Sequence, residues 1–211
     1  MKISKSQGIL LGGGAVILAG VVAKVVFGRT PEPPFKIVRA IGDLEIRAYE
    51  PMIIAETITG GDFGGALNEG FDRLAGYIFG GNHKSEKLEM TAPVAQRGEK
   101  FEMTVPVNVQ SSEGGRHRIT FVMPAGRTLS SLPEPNDARV TLREVPARRV
   151  AALRFSGWVD EARAAEKKRE ALSLLEQAKL AAAGEPELAQ YNPPWAIPFL
   201  RRNEVLIDLA E

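Results

Sequence analysis

Cysteine is absent from the 211 residues, and histidine occurs only at His83 and His117. That excludes disulfide frameworks, thiolate nucleophiles, cysteine zinc sites, iron–sulfur clusters and covalent haem attachment through Cys-x-x-Cys-His. Two imidazoles are also too few for a His-rich catalytic metal centre. Excess charge is nearly lacking: 27 Lys and Arg stand against 26 Asp and Glu, a net charge of +1. Such a chain has no long-range field to hold nucleic acid, so no nucleic-acid partner is expected. Catalytic signatures are missing as well. Gly-x-Ser-x-Gly and His-Glu-x-x-His do not occur. Gly80-Gly81-Asn82-His83-Lys84-Ser85 lacks a glycine before its lysine and ends a helical pattern instead of opening one, so its amides would not face a phosphate. Glu86 and Glu89 read as solvated acids ahead of a strand. The chain is expected not to be an enzyme.

What is present is ordinary globular material, 44% hydrophobic and 25% charged, enough for one core. Its first segment has a different character. Residues 1–7 form a short basic leader with Lys2 and Lys5, and Gly8 to Phe27 holds a single charge, Lys24. An apolar run of about 20 residues spans a hydrocarbon core, and Lys24 can snorkel to the interface. A cleaved signal peptide would need a small-x-small exit, which Val21-Val22-Ala23-Lys24 does not supply, so 8–27 is expected as an uncleaved transmembrane anchor. Basic residues flank both ends, and we expect the leader to stay inside with the remaining chain outside the cytoplasm. Residues 28–34, with Pro31, Pro33 and Pro34, read as a stiff spacer.

From residue 35 onward, short alternating strands surround two helical stretches. Leu44 to Tyr49 alternates at period two, and Met52 to Thr59 follows, closed by Gly60-Gly61. Asp62 is the expected N-cap of a helix whose stripe is Phe63, Leu67, Phe71, Leu74 and Ile78. The order then repeats: Val140 to Val145, Arg149 to Phe155, and a helix from Asp160 to Ala183 ended by Gly184. Leu44 and Val140, like Gly61 and Gly157, are 96 residues apart, which suggests a duplicated ββα unit. Further strands are expected at Lys36 to Ala40, Met90 to Ala95, Glu102 to Asn108, Arg118 to Met123 and Glu204 to Leu209. The pattern is α+β with a mostly antiparallel sheet, which two duplicated halves can close into a distorted barrel.

Three stretches carry a resemblance: Leu44-Glu45-Ile46-Arg47-Ala48-Tyr49-Glu50-Pro51, Lys87-Leu88-Glu89-Met90-Thr91-Ala92-Pro93-Val94, and Tyr191-Asn192-Pro193-Pro194-Trp195 running into Arg201-Arg202-Asn203-Glu204-Val205. In this order, over about residues 36–209, the chain resembles the SOUL haem-binding protein family. The resemblance implies a pseudo-twofold, eight-stranded distorted antiparallel β-barrel flanked by two helices, here residues 35–211. It also implies noncovalent binding of haem or a related tetrapyrrole in a groove between the first helix and the loop before the last strand. Carried over by position, Asn68, Phe71 and Ala75 fall on the helix wall, and Trp195, Ala196 and Ile197 on the loop. A porphyrin is a flat apolar plate with two carboxylates; Phe71 and Trp195 suit the plate, and Arg73, Arg201 or Arg202 suit the carboxylates.

The sequence also departs from the family pattern. Ala48 stands where some animal members carry a His proposed to bind iron, and Asn68 and Gly76 stand where some relatives are basic. The remaining axial candidates are His83, Tyr49, Tyr77, Tyr191 and Met90, with none singled out, so the axial ligand is left unassigned. These and the groove residues also have plainer roles: His83 in a polar turn, Phe71 in the helix stripe, Met90, Met103 and Met123 as core fillers, Arg201 and Arg202 as partners of carboxylates such as Glu204. The expected function is a membrane-tethered haem carrier or buffer. The alternatives are a module for another amphipathic small molecule, or an enzyme acting on one.

Overall fold

The computed structural model describes residues 31–98, 115–192 and 196–210. The strand expected at Glu102 to Asn108, the apolar segment 8–27 and Trp195 lie outside these residues. Among the described residues no helix is long and apolar enough to cross a membrane.

The described strands are β1 (Phe35–Ile41), β2 (Leu44–Tyr49), β3 (Met52–Gly60), β4 (Val94–Gly98), β5 (Arg116–Val122), β6 (Thr141–Val145), β7 (Arg148–Phe155), β8 (Glu187–Gln190) and β9 (Asn203–Asp208). Two helices join them, α1 (Phe63–Ile78) and α2 (Glu161–Gln177). All strands belong to one antiparallel sheet in the order β1-β2-β7-β9-β8-β4-β5-β3-β6. The α+β class holds; among the described residues the sheet has nine strands and is not closed, so the closed eight-stranded barrel is not confirmed. β1 extends one side by pairing with β2, and β6 ends the other, so the two edges do not meet among the described residues.

The duplication is visible in the pairing. β3-β5-β4 of the first half mirror β7-β9-β8 of the second, and the two halves meet at the β4–β8 ladder. Each half lends one strand to the other: β2 pairs with β7, and β6 pairs with β3. The registers agree under the 96-residue offset. Ala48 faces Arg149 in one ladder, and Ile53 faces Glu144 in the other. The helix starts match too. Asp62 accepts from Gly65 N and Asp160 from Arg163 N, so each helix has its N-cap. Gly61 and Gly157 precede them with φ of +109° and +107°, a backbone region that side chains with a Cβ avoid.

Both helices cover the same face. Leu153, Val205, Leu188, Gln96 and Ile119 are partners in successive ladders, so they share one side of the sheet. On that side α1 buries Leu74, Tyr77 and Ile78 against Ile53, Ala55, Ile119 and Phe121, while α2 buries Ala171 and Leu175 against Leu44, Ile46, Leu153 and Ile207. Full burial of each large side chain contributes roughly 1.5–3 kcal/mol. Gly70 lets α1 approach β5, because a Cβ there would lie 2.3 Å from Ile119 Cγ1.

Several boundaries differ from the sequence reading. α2 stops at Gln177, not Ala183: Lys179 turns to φ +56°, and Ala182 and Ala183 bond instead to the chain end at Leu209 and Asp208. β4 begins at Val94, not Met90, because Ala92 N donates to Pro31 O and Pro93 has no N–H to give a ladder. The four-residue β8 is too short for alternation to reveal. Residues 31–34, expected to stand clear as a spacer, lie against the domain, held by that Pro31 bond and by Glu32, which accepts twice from Arg202 at 2.9 and 3.0 Å.

Candidate functional site

The two walls implied by the sequence reading are joined through the sheet. Phe71 on α1 is half-buried, its ring centroid 5.4 Å from that of Phe121 on β5. Phe121 pairs with Val94, and Val94 pairs with Gln190, the last residue of β8 before the loop. Paired residues share a face, so the surface under α1 continues across two strand spacings, about 10 Å, to the base of that loop.

On the helix wall, Asn68 is exposed, Phe71 packs against the core, and Ala75 is buried among core residues. On the loop wall, the segment 196–201 folds around a 3-10 turn at Pro198–Leu200. Ala196 is half-buried, and its carbonyl accepts from Arg201 Nε at 2.9 Å. Ile197 is exposed. Arg201 is buried, with its guanidinium 3.6 Å from the ring centroid of Trp158. Gly157 N donates to Pro198 O at 3.0 Å, and Asn203 donates to Gly157 O at 3.1 Å, which fixes the loop to the β7–α2 turn.

Three residues outside the sequence-derived set belong to this surface. Trp158 is 60% exposed, Phe199 73% and Leu200 66%. With Ile197 they form an apolar surface on and beside the loop, flanked by Arg201. The signal was in the sequence: Ile197-Pro198-Phe199-Leu200 is an apolar run with no strand period, and such a run left on a surface is a candidate for interaction.

Arg202 serves a different purpose. Its Nε donates to Glu204 at 2.9 Å, and its guanidinium lies 3.9 Å over the Tyr191 ring. Glu204 is fully buried on the sheet face opposite the helices. It accepts from Arg47 at 2.7 and 3.0 Å and from the Tyr191 hydroxyl at 2.7 Å, while Phe35 packs 4.4 Å from the Arg47 guanidinium. Burial alone would raise the Glu204 carboxyl, but the hydrogen bonds and charge of Arg47, with the Tyr191 hydrogen bond and the Arg202 charge, together outweigh it and hold the group below the usual range. Burial and the Glu204 charge push the Tyr191 phenol up.

These contacts constrain the axial candidates. Tyr77, whose hydroxyl donates to Pro133 O, is pushed up to about 12 by burial, and Tyr49 is also raised by burial. In all three phenols burial opposes the phenolate form. Met90 packs against the α1 core. His83 is exposed and 3.2 Å from Glu134; His117 stands edge-on to Phe63. Among the described residues no group of three or more His, Cys, Asp or Glu could hold a metal ion.

Comparison with solved structures shows the fold. The EcmrR C-terminal domain is 11% identical with a TM-score of 0.54, covering 80% of this chain and 97% of that one. EcmrR in its DNA complex gives a TM-score of 0.56 at 10% identity, covering 80% of this chain and 57% of that one. A hydrolase from Listeria innocua gives 0.52 at 11% identity, covering 86% and 100%. No curated protein matches the sequence. A match of another kind covers most of the chain: residues 30–208 fit the SOUL heme-binding protein family. The duplicated halves, the motif order and this match agree, and the chain belongs to that family, whose general property is haem or tetrapyrrole binding.

Proposed function

We propose that this chain binds haem or a related tetrapyrrole noncovalently in the groove between α1 and the loop before β9, and carries or buffers it. One observation carries the location: Ile197, Phe199, Leu200 and Trp158 are exposed beside the Arg201 guanidinium. An apolar plate with acidic substituents finds both its chemistries there. Asn68, Phe71 and Ala75 contribute the helix wall, and Trp195, Ala196, Ile197 and Arg201 the loop wall. Bound haem would bring an iron centre, and the axial partner is left unassigned. We further propose that residues 8–27 tether the domain to a bilayer, with the domain on the extracytoplasmic side. An apolar ligand that partitions into lipid would then meet its carrier there.

The test is a haemin titration of the full chain reconstituted in lipid nanodiscs, with empty discs subtracted. A saturable Soret change at one haem per chain, reversed by apomyoglobin, supports noncovalent carriage. A linear, unsaturable change contradicts it. Turnover beyond stoichiometry would place the chain among enzymes. A non-haem adduct in native mass spectrometry would favour another amphipathic ligand.

A further inference from the structure

A second cleft lies away from the proposed haem groove. It has a volume of about 580 Å³ and runs between residues 31–34, the β2–β3 turn, the segment after β5 and the β6–β7 turn. This is within the size range of small-molecule sites. Its wall includes six prolines, and Met52 and Met123 line it as well. Proline carries no N–H, so this wall presents carbonyl acceptors and few backbone donors. Thioether side chains add an adaptable, polarisable surface.

The polar groups are also one-sided. Glu32, Glu50 and Glu144 line the cleft against a single cation, Arg127. Glu32 is occupied by Arg202, and Arg127 by Glu86. Glu50 and Glu144 are exposed and pair with no described residue. Thr91, another lining residue, is 5% exposed, and its Oγ1 is buried with no hydrogen-bond partner among the described residues. A buried hydroxyl without a partner is costly, and a ligand that supplies one recovers that cost.

From the two unpaired carboxylates, the acceptor-rich proline wall and the unpartnered Thr91 hydroxyl, we infer that this cleft is a binding site for an organic cation: an aromatic or aliphatic body bearing a protonated amine. The apolar body packs on the prolines and methionines. The ammonium donates to Glu50 or Glu144, and to Thr91 once that side chain rotates its buried hydroxyl into the cleft. An anion such as a porphyrin carboxylate would face two uncompensated negative charges, so the cleft selects against the ligand proposed for the other groove. The inference does not depend on haem binding.

The test uses three probes of similar shape and different charge: dibenzylammonium, dibenzyl ether and dibenzyl phosphate. Each is titrated calorimetrically into the full chain in nanodiscs, with empty discs subtracted. Dibenzylammonium is expected to bind saturably at one per chain, at least tenfold tighter than the other two. Glu50→Gln with Glu144→Gln should abolish that preference without changing the haemin titration. Thr91→Val should weaken the cation several-fold while leaving thermal stability equal or higher, since it removes an unpaired hydroxyl. The inference is overturned by absent saturation, by equal affinity for the three probes, or by unchanged affinity in the Glu50→Gln, Glu144→Gln variant. One-for-one displacement of the cation by haemin would also overturn it, by making the two sites one.

Discussion

The two halves of the sheet carry the same arginine at the same register and bury it differently. Arg47 on β2 and Arg143 on β6 are 96 residues apart, and each strand is lent to the opposite half. The Arg47 side chain is 3% exposed and meets a fully buried Glu204; the Arg143 side chain is 42% exposed and meets Glu56 at 2.9 Å. The difference is β1, which has no counterpart in the second half. It pairs along β2 and sets Phe35 against the Arg47 guanidinium, whereas β6 is a sheet edge among the described residues. Thus the weight of a duplicated position comes from what covers it. A buried ion pair is expensive to break because the surviving charge stays desolvated, while a pair at an edge is screened by water.

The largest effect should come from that contrast. Glu204→Ala is expected to destabilise the fold by about 3–5 kcal/mol, as expected when one member of a buried pair is removed. Glu56→Ala should cost less, about 1–2 kcal/mol: Glu56 is mostly buried, but its partners Arg143 and Arg118 keep access to water. Urea unfolding of the two variants measures both; equal losses would remove the role assigned to β1. The same contrast has a pH signature. Glu204 is held below its ordinary value of 4.5. A depressed carboxyl adds stability that is full above the ordinary value and lost as pH falls through the lower folded value. Unfolding curves should therefore show acid loss setting in below pH 4.5, and Glu204→Gln should flatten that part of the profile.

The helices supply the next comparison. α1 meets the sheet through Gly70, and α2 through Ala164 and Ala171. Gly70→Ala is expected to cost about 1–3 kcal/mol by overpacking against Ile119, despite its better helix propensity. Thermal melts check this, and a gain in stability would mean that α1 has room to shift. A similarly small effect is expected of Phe35→Leu, which keeps apolar cover but removes the ring beneath Arg47. A loss of about 0.5–2 kcal/mol is expected, measurable by the same unfolding assay.

Much of the fold was legible because it is carried by local patterns. Alternation marks β2, the run closed by Gly60-Gly61 marks β3, the 63–78 stripe marks α1, and the Asp62 cap marks its start, while α2 is expected from Asp160, which proves to be its cap. The 96-residue offset exposed the duplication, and the ladders keep it to the residue. Sheet closure was not legible, because it depends on whether distant edges meet. The burial of Arg47 was hidden for the same reason, since its partner Glu204 is 157 residues away. For the proposed groove, the resemblance points to Ala196, Ile197 and Arg201, but Trp158 is brought beside Arg201 by the β7–α2 turn and has no local signature. Phe71 proved to be half core, which makes it a poor probe of ligand contact.

The exposed loop gives the cleaner probe. Haemin titration of the full chain in nanodiscs should be compared with Phe199→Asp, Leu200→Asp, a double variant whose altered side chains lie mostly in water and so leave folding stability intact. The account predicts saturable one-to-one binding in the parent chain and affinity weakened at least tenfold in the variant. Equal affinity in both, with both folded, would contradict placing the tetrapyrrole at this loop.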